Sequence, residues 1–442
     1  MLYDMRMKRI AVIGGGAAGL SCAIVSGQAG ASVRIFEMDE RVGRRILATG
    51  NGRCNFSNVD IRPEVYRNAG FVAKAYERVT PEDVWGFFAD LGLLWETEPD
   101  GRMLPRTGKA STVVDVLRAR CAELGVEECC SAKVRELVPP SEAGGPWTLV
   151  LADGRFERAE AVVVTTGGQD AFGFLPEGVA TTPFSPVLGP LKTDISLTKG
   201  LDGIRVHARV SLVRHDEPRI AEDGELLFRK YGVSGICVFN LSRFVDDDSL
   251  LLVNLLPEMD MPGVQACLSA RAAKALARNK AATVGDLLRG MVLPQVAEAV
   301  CAFASTRTSR ALAGCTEDEF ETLAAALTGF PLEVRGIAEP AQCQVHRGGV
   351  DVAAVTDDLE SRAFPGLFFA GEVLDVDGPC GGYNLHWAWA SGMLAGKAAA
   401  FCGAKGAVSC GTAGDAACGT APSREQTTTL MNSWIRGSWH DR

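Results

Sequence analysis

Apolar residues near the start of the chain come in short runs whose period changes twice. Arg9 to Ile13 reads as a buried strand, Ala17 to Ala29 carries apolar residues at helical spacing, and Ser32 to Glu37 reads as a second strand ending in an acid. Strand, helix and strand within about 30 residues predict a βαβ unit and hence a parallel sheet. Pro81 to Leu91 and Thr112 to Leu124 predict helices. Trp147 to Ala152 and Gly154 to Ala159 predict a hairpin around Asp153-Gly154. Ala132 to Leu137 is strand-like, and Ala161 to Thr165 is a further buried strand running into Thr166-Gly167-Gly168.

The texture then changes. Between Leu191 and Leu256 the strands are short and alternating: Arg205 to Arg214, Glu225 to Phe228 and Leu250 to Leu255, with a turn expected at Glu222-Asp223-Gly224. This predicts a small barrel or sandwich. From Gly263 to about Leu327 the pattern is helical, as in Ala266 to Ala277 and Val284 to Met291. Phe368 to Ala370 returns to buried-strand character, and Asn384 to Ala400 predicts a long closing helix. The layout is α/β: a three-layer, Rossmann-like nucleotide-binding domain at 1–189 and 346–402, interrupted at 190–345 by an inserted β-barrel plus helical domain that caps the substrate side. Residues 403–442, rich in Gly, Ala, Ser and Thr, read as a disordered tail.

Composition narrows the function. The 442 residues are 47% hydrophobic and 22% charged, with a net charge of -9 from 45 basic and 54 acidic side chains. An acidic chain speaks against a nucleic-acid partner, whose footprint should be basic. No uncharged apolar stretch of about 18 residues predicts a membrane span. The 14 cysteines form no C-x-x-C pair, and scattered thiols of this kind suit a reducing cytoplasm. No metal-ligand cluster is visible.

Chemistry concentrates in three glycine-rich segments. Gly14-x-Gly16-x-x-Gly19 follows a strand, opens a helix containing Ala18, and precedes Glu37 at the end of the next strand. That context is what the dinucleotide fingerprint requires: Gly14 for the turn, Gly16 for approach of a pyrophosphate, Gly19 for helix–strand packing. Glu37 would accept from ribose hydroxyls. The run Gly43 to Asn55, with Arg45, Thr49, Gly50, Asn51, Gly52, Arg53 and Cys54, suits a loop of positive φ presenting amides and guanidinium to an anionic ligand. Gly378-Pro379-Cys380-Gly381-Gly382-Tyr383-Asn384-Leu385 opens the closing helix and makes a second anion cradle.

Four segments together resemble the two-dinucleotide-binding-domain flavoproteins. More narrowly, the chain is similar to bacterial flavoproteins of the aminoacetone-oxidase or NAD(P)/FAD-dependent oxidoreductase type, a family that includes a bile-acid dehydro-steroid reductase. The segments are Gly14 to Gly19; Thr49 to Asn55; Glu225 to Phe228 with Tyr231 to Gly235; and Gly366 to Gly378, continuing through Gly382 to Trp389. The resemblance implies a Rossmann-like FAD-binding domain, with FAD rather than free NAD in the Gly14 site. It implies that Val134 holds adenine by its backbone, that Thr166 and Gly167 adjoin the cofactor, and that Gly371, Glu372 and Asp377 belong to the segment touching ribityl and phosphate. It implies that Gly382, Tyr383, Asn384 and Leu385 bring helix amides to the flavin ring. The sequence departs from the family pattern after Gly168 and at His346-Arg347 and His386, where the family has other residues.

The expected activity is hydride transfer from reduced flavin to an activated C=C of a small apolar, steroid-like molecule, an ene-reductase. NAD(P)H would reduce the flavin transiently from the substrate side, since the chain has no second G-x-G-x-x-G in strand context, or another donor replaces it. Tyr231, His346 and Arg347 are the candidate catalytic residues, as proton donors or polarising groups, the last two standing just before a turn expected at Gly348-Gly349 that should approach the flavin. An amine or alcohol oxidase using dioxygen, a non-catalytic FAD redox sensor and a flavin-dependent RNA modifier remain as other readings. The sequence fixes neither substrate nor oligomeric state.

Overall fold

The computed structural model describes residues 7–168, 172–215, 219–246 and 248–402. The tail expected at 403–442 lies outside the described residues. Five strands form a parallel sheet in the order Leu367–Phe369, Ala161–Val164, Arg9–Ile13, Ser32–Phe36, Glu127–Cys129. Val12 sits opposite Val163 on one side and Ile35 on the other. These strands are apolar on both faces because both faces are covered. On one face the first helix, Ala17–Gln28, packs against the closing helix, Tyr383–Phe401. The approach is close because small residues meet: a Cβ on Gly392 would stand 2.3 Å from the Ala18 carbonyl, and one on Gly396 2.6 Å from that of Cys22. The strands Val134–Val138, Trp147–Leu151 and Phe156–Ala159 form an antiparallel sheet whose Trp147, Leu149 and Leu151 enter the same core.

Six strands close into a barrel: Leu191–Thr193, Gly232–Ser234, Ile220–Arg229, Arg205–Val213, Leu250–Asn254 and Phe330–Ile337, each paired with the next and the last with the first. Val210, Phe228, Leu251 and Leu332 fill a second core, which continues into the helices Met261–Arg278, Val284–Leu288, Pro294–Phe303 and Glu317–Thr328. Two of these helices begin in capping boxes, Thr283 with Asp286 and Thr316 with Glu319. Most predicted elements appear within a few residues of their expected bounds; the strand expected at Glu225 to Phe228 and the helix expected at Ala266 to Ala277 begin earlier, at Ile220 and Met261.

Two expectations are corrected. Glu222-Asp223-Gly224 is not a turn but the middle of the strand Ile220–Arg229. Asp223 lies on the exposed face of the strand and meets Arg209 across the ladder at 2.7 Å, while Glu222 beside it is half-buried, so turn-like composition here marks a strand with a solvated face. Gly348-Gly349 is likewise no turn. Both lie inside the strand Val345–Val350, antiparallel to Thr181–Val187, where the backbone at 373–374 crosses so closely that a Cβ on Gly349 would stand 2.4 Å from the Val373 carbonyl. Among the described residues no helix is long and apolar enough to cross a membrane.

Candidate active site

The carboxyl ends of the parallel strands open into a cleft of about 1750 Å3 that runs from Glu37, past the first helix, to the start of the closing helix. Its near end is built by the first glycine motif. Gly19 is required by packing: a Cβ there would stand 2.0 Å from the Gly14 carbonyl. Gly16 is different. It has an ordinary φ of -82°, and a Cβ on it would meet nothing within 4 Å, so its side-chain space opens on the cleft. Gly16 caps the helix without a side-chain hydrogen bond, leaving first-turn amides for a ligand. Thr165 holds this turn by donating from Oγ1 to the carbonyls of Ile13 (2.9 Å) and Gly14 (2.8 Å).

Glu37 lines the cleft and is already engaged. Its Oε2 accepts from Gly15 N at 2.7 Å and its Oε1 from Asp39 N at 2.9 Å, which orients the carboxylate while leaving lone pairs for hydroxyls. The 43–55 loop takes the positive φ values expected, at Gly43, Gly50, Asn51, Gly52 and Cys54. Arg45, Thr49, Gly50, Asn51 and Arg53 line the cleft, and Gly52 does not. Arg45 is exposed at the rim and has no ion pair or hydrogen bond among the described residues, whereas Arg44 is paired with Asp39 and Arg53 with Glu98. Cys54 points inward: it is fully buried, and burial pushes its thiol up to about 11, which makes it a packing residue rather than a nucleophile. Val134, Thr166, Gly167, Gly371 and Glu372 complete this wall.

The far end is the loop before the closing helix. Gly382 has φ +104, and a Cβ on it would stand 2.2 Å from the Ser57 carbonyl. Gly382, Tyr383, Asn384 and Leu385 line the cleft. The Asn384 amide is spent on the loop itself, accepting from Gly378 N (2.8 Å) and donating to the Gly378 and Pro379 carbonyls. One turn in, His386 is fully buried; its Nδ1 lies 2.8 Å from Ser57 Oγ, which in turn accepts from Trp85 Nε1. Burial pushes the imidazole down to about 3, so it is neutral, and its Nε2 has no hydrogen-bond partner.

Of the three candidate catalytic side chains, only His346 faces the cleft. Its backbone N–H donates to Glu372 Oε1 at 2.7 Å, its Nδ1 lies 3.4 Å from the same oxygen, and its ring meets Phe184 edge-on at 6.2 Å. Tyr231 lies outside the cleft, in the turn after Arg229 with that guanidinium 5.9 Å from its ring centroid. The cleft is lined instead by Leu227 before this turn and by Ser234 and Gly235 after it. Arg347 and Asp377 are also absent from the cleft lining, because they neutralise each other below its floor. Arg243 Nε donates to Asp377 Oδ1 at 2.6 Å with both side chains buried, Arg347 Nε is 3.6 Å from Asp377 Oδ2, and Arg347 Nη2 donates to the Arg243 carbonyl. Beside them Asp375 takes Arg67 Nε at 2.9 Å and Gly348 N at 2.9 Å. The cluster ties the barrel to the segment leading into Gly382.

Sequence reasoning missed Thr165, Arg67, Arg243 and Asp375, and also the barrel wall: Glu222, Leu227, Ile236, Phe239 and Asn240 line the cleft opposite the glycine motifs. The helix Ile236–Ser242, next to the Tyr231–Gly235 segment that carries the resemblance, was the one available signal.

Two glycine-opened helix starts, an oriented acid at the second strand and an unpaired Arg45 along one cleft form a donor set that fits FAD. Among known proteins, the chain is 30% identical over 415 residues to the 3-dehydro-bile acid delta(4,6)-reductase of Clostridium scindens, covering 89% of this chain and 99% of the relative. It is 28% identical over 403 residues to the ribosomal RNA dihydrouridine synthase of Escherichia coli, covering 86% and 95%. A 3-ketosteroid-delta4-(5alpha)-dehydrogenase from Rhodococcus jostii, solved with 4-androstene-3,17-dione, superposes with a TM-score of 0.44 at 16% identity over 90% of this chain and 98% of that one. Residues 8–398 match the model of the HI0933-like protein Rossmann domain. The chain therefore belongs to the HI0933-like Rossmann-domain family of FAD-binding oxidoreductases.

Proposed function

We propose that this protein is an FAD-dependent reductase of an activated carbon–carbon double bond in a small, largely apolar molecule. FAD, when bound, supplies the hydride. The chain's residues do the rest. The amides of the first helix and Arg45 hold the anionic part, Glu37 orients the ribose, and the start of the closing helix sets a positive dipole end against the far end of the cleft. Ile236, 56% exposed, with half-buried Leu227 and Phe239, offers an apolar bed on the barrel wall. Glu372 can accept from the Nδ1–H of His346, so that in the imidazolium form Nε2 would carry the proton to be transferred, and the neutral ring left behind keeps its Nδ1–H on Glu372.

The observation that carries this reading is that one continuous cleft contains both the glycine cradles and the His346–Glu372 pair. The relatives support the reaction type: one is named a reductase of a delta(4,6) bile acid, the other a synthase of dihydrouridine, and both names denote products with fewer double bonds. The synthase favours a second reading, in which the same chemistry meets a uridine of RNA. The net charge of -9 opposes it.

The test is product analysis. FAD-loaded protein given NADH, NADPH or dithionite together with 3-oxo-4-ene steroids is expected to yield products heavier by two hydrogens. Absence of a saturated product with every donor would overturn the reading. His346→Gln is expected to keep its FAD and lose turnover by about 10²–10⁴-fold; an unchanged rate would remove His346 from the reaction.

A further inference from the structure

The barrel wall of the cleft carries three carboxylates, and two are already neutralised. Asp223 is paired with Arg209 at 2.7 Å, and Glu225 with Arg205. Glu222 is not. It is half-buried, lines the cleft, and among the described residues has no cation within ion-pair distance. Its one hydrogen bond is from Asn240 Nδ2 to Oε2 at 3.0 Å. Asn240 in turn accepts at Oδ1 from Cys380 N at 2.9 Å. A chain of hydrogen bonds therefore runs from the Glu222 carboxylate through one amide to the backbone of the glycine loop at 378–382. The carboxylate is held at a fixed place relative to that loop, with Oε1 free to accept. Ile236 and Phe239, from the same short helix as Asn240, lie beside it as the apolar bed.

A fixed, uncompensated carboxylate next to an apolar surface selects by charge. It accepts from a hydroxyl, an N–H or an ammonium, and it repels a carboxylate or phosphate brought into the same partly desolvated space. We propose that Glu222 is the specificity-determining residue of the cleft, selecting a neutral or cationic substrate that donates a hydrogen bond, and rejecting anionic substrates, RNA included. The inference rests on the reading that this cleft takes the unsaturated substrate. Asn240 is the positioning residue, since it acts only by holding Glu222 against the loop.

The test uses oxidised FAD-loaded protein and three matched 3-oxo-4-ene steroids, bearing a side-chain hydroxyl, ammonium or carboxylate. Binding is read from the perturbation of flavin absorbance, so no turnover is needed. A ribosomal RNA fragment is titrated in parallel at low and high salt. The wild type is expected to bind the hydroxyl and ammonium steroids at least about tenfold more tightly than the carboxylate, and to show no salt-sensitive RNA binding. Glu222→Gln, which keeps size and hydrogen bonding, should bring the three affinities close together. Glu222→Lys should reverse the order, with flavin content unchanged in both. Equal or inverted preference in the wild type, preference unmoved in the variants, tight RNA binding, or no binding of any steroid would each overturn the proposal. The reductase reading fails separately, when the steroids bind with the expected preference yet anaerobically leave the reduced flavin unoxidised.

Discussion

Gly16 shows how a single residue can be read for function. Its φ of -82° suits any amino acid and its Cβ space is empty, so neither backbone nor packing demands glycine. The demand comes from whatever lies against the helix start. Gly16→Val should therefore fold with unchanged circular dichroism and lose the flavin's visible absorbance; stoichiometric FAD in the variant would contradict the cradle. Gly19 is the contrast, since the same change would collide with the Gly14 carbonyl and damage the fold itself. His386 makes a prediction in pH. Its folded pKa is lowered from 6.5 to about 3 by burial, so between those values the unfolded chain binds the extra proton. Stability from this residue is full above about 6.5 and is lost progressively as pH falls toward about 3. His386→Gln should flatten that part of the acid limb in urea titrations relative to the wild type, and parallel limbs would show that the imidazole is not held neutral.

At the scale of elements, the decisive unit is the segment from Asp375 to the start of the closing helix. It is clamped from three directions: Arg67 and Asn68 from the first half, Arg243 from the barrel, and Gly348 N with Arg347 from the crossing strand. Such a cluster positions the loop and is costly to break. Asp377→Ala leaves the buried Arg243 guanidinium without its carboxylate, and half-buried Arg347 with it, and should cost about 3–5 kcal/mol, read as a shift in urea midpoint at constant slope. A loss below about 1 kcal/mol would mean that the pair is relaxed by water in solution. This clamp could not be read from the sequence, because Arg243 and Asp377 are 134 residues apart and neither belongs to a local pattern. The motif match attached Asp377 to the cofactor because the run around it is continuous, although the side chain turns under the floor. Tyr231 falls outside the cleft for a related reason: the match of its segment says nothing about which way a side chain in the turn between two strands points.

Across the whole molecule, the legible parts were those encoded locally. The βαβ unit, the glycine loop, the hairpin at Asp153-Gly154 and the closing helix all follow from contiguous residues, and their bounds hold to within a few positions. Closure of the barrel and the composition of its wall depend on pairings between strands far apart in the chain, so Glu222 looked like part of a turn and Asn240 like nothing at all. The result is a division of labour. In the proposed reading the Rossmann-like half would hold the cofactor with residues that announce themselves, and the barrel wall lines the same cleft with residues that only the fold brings into place. The central claim is that this cleft passes a hydride to a conjugated double bond. The most direct measurement is anaerobic stopped-flow reoxidation of the reduced, FAD-loaded protein, with a 3-oxo-4-ene steroid in one syringe series and oxygen alone in another. The account predicts that the steroid restores the oxidised flavin spectrum faster than oxygen does, in proportion to the steroid added. Reoxidation by oxygen with no response to any enone would contradict it.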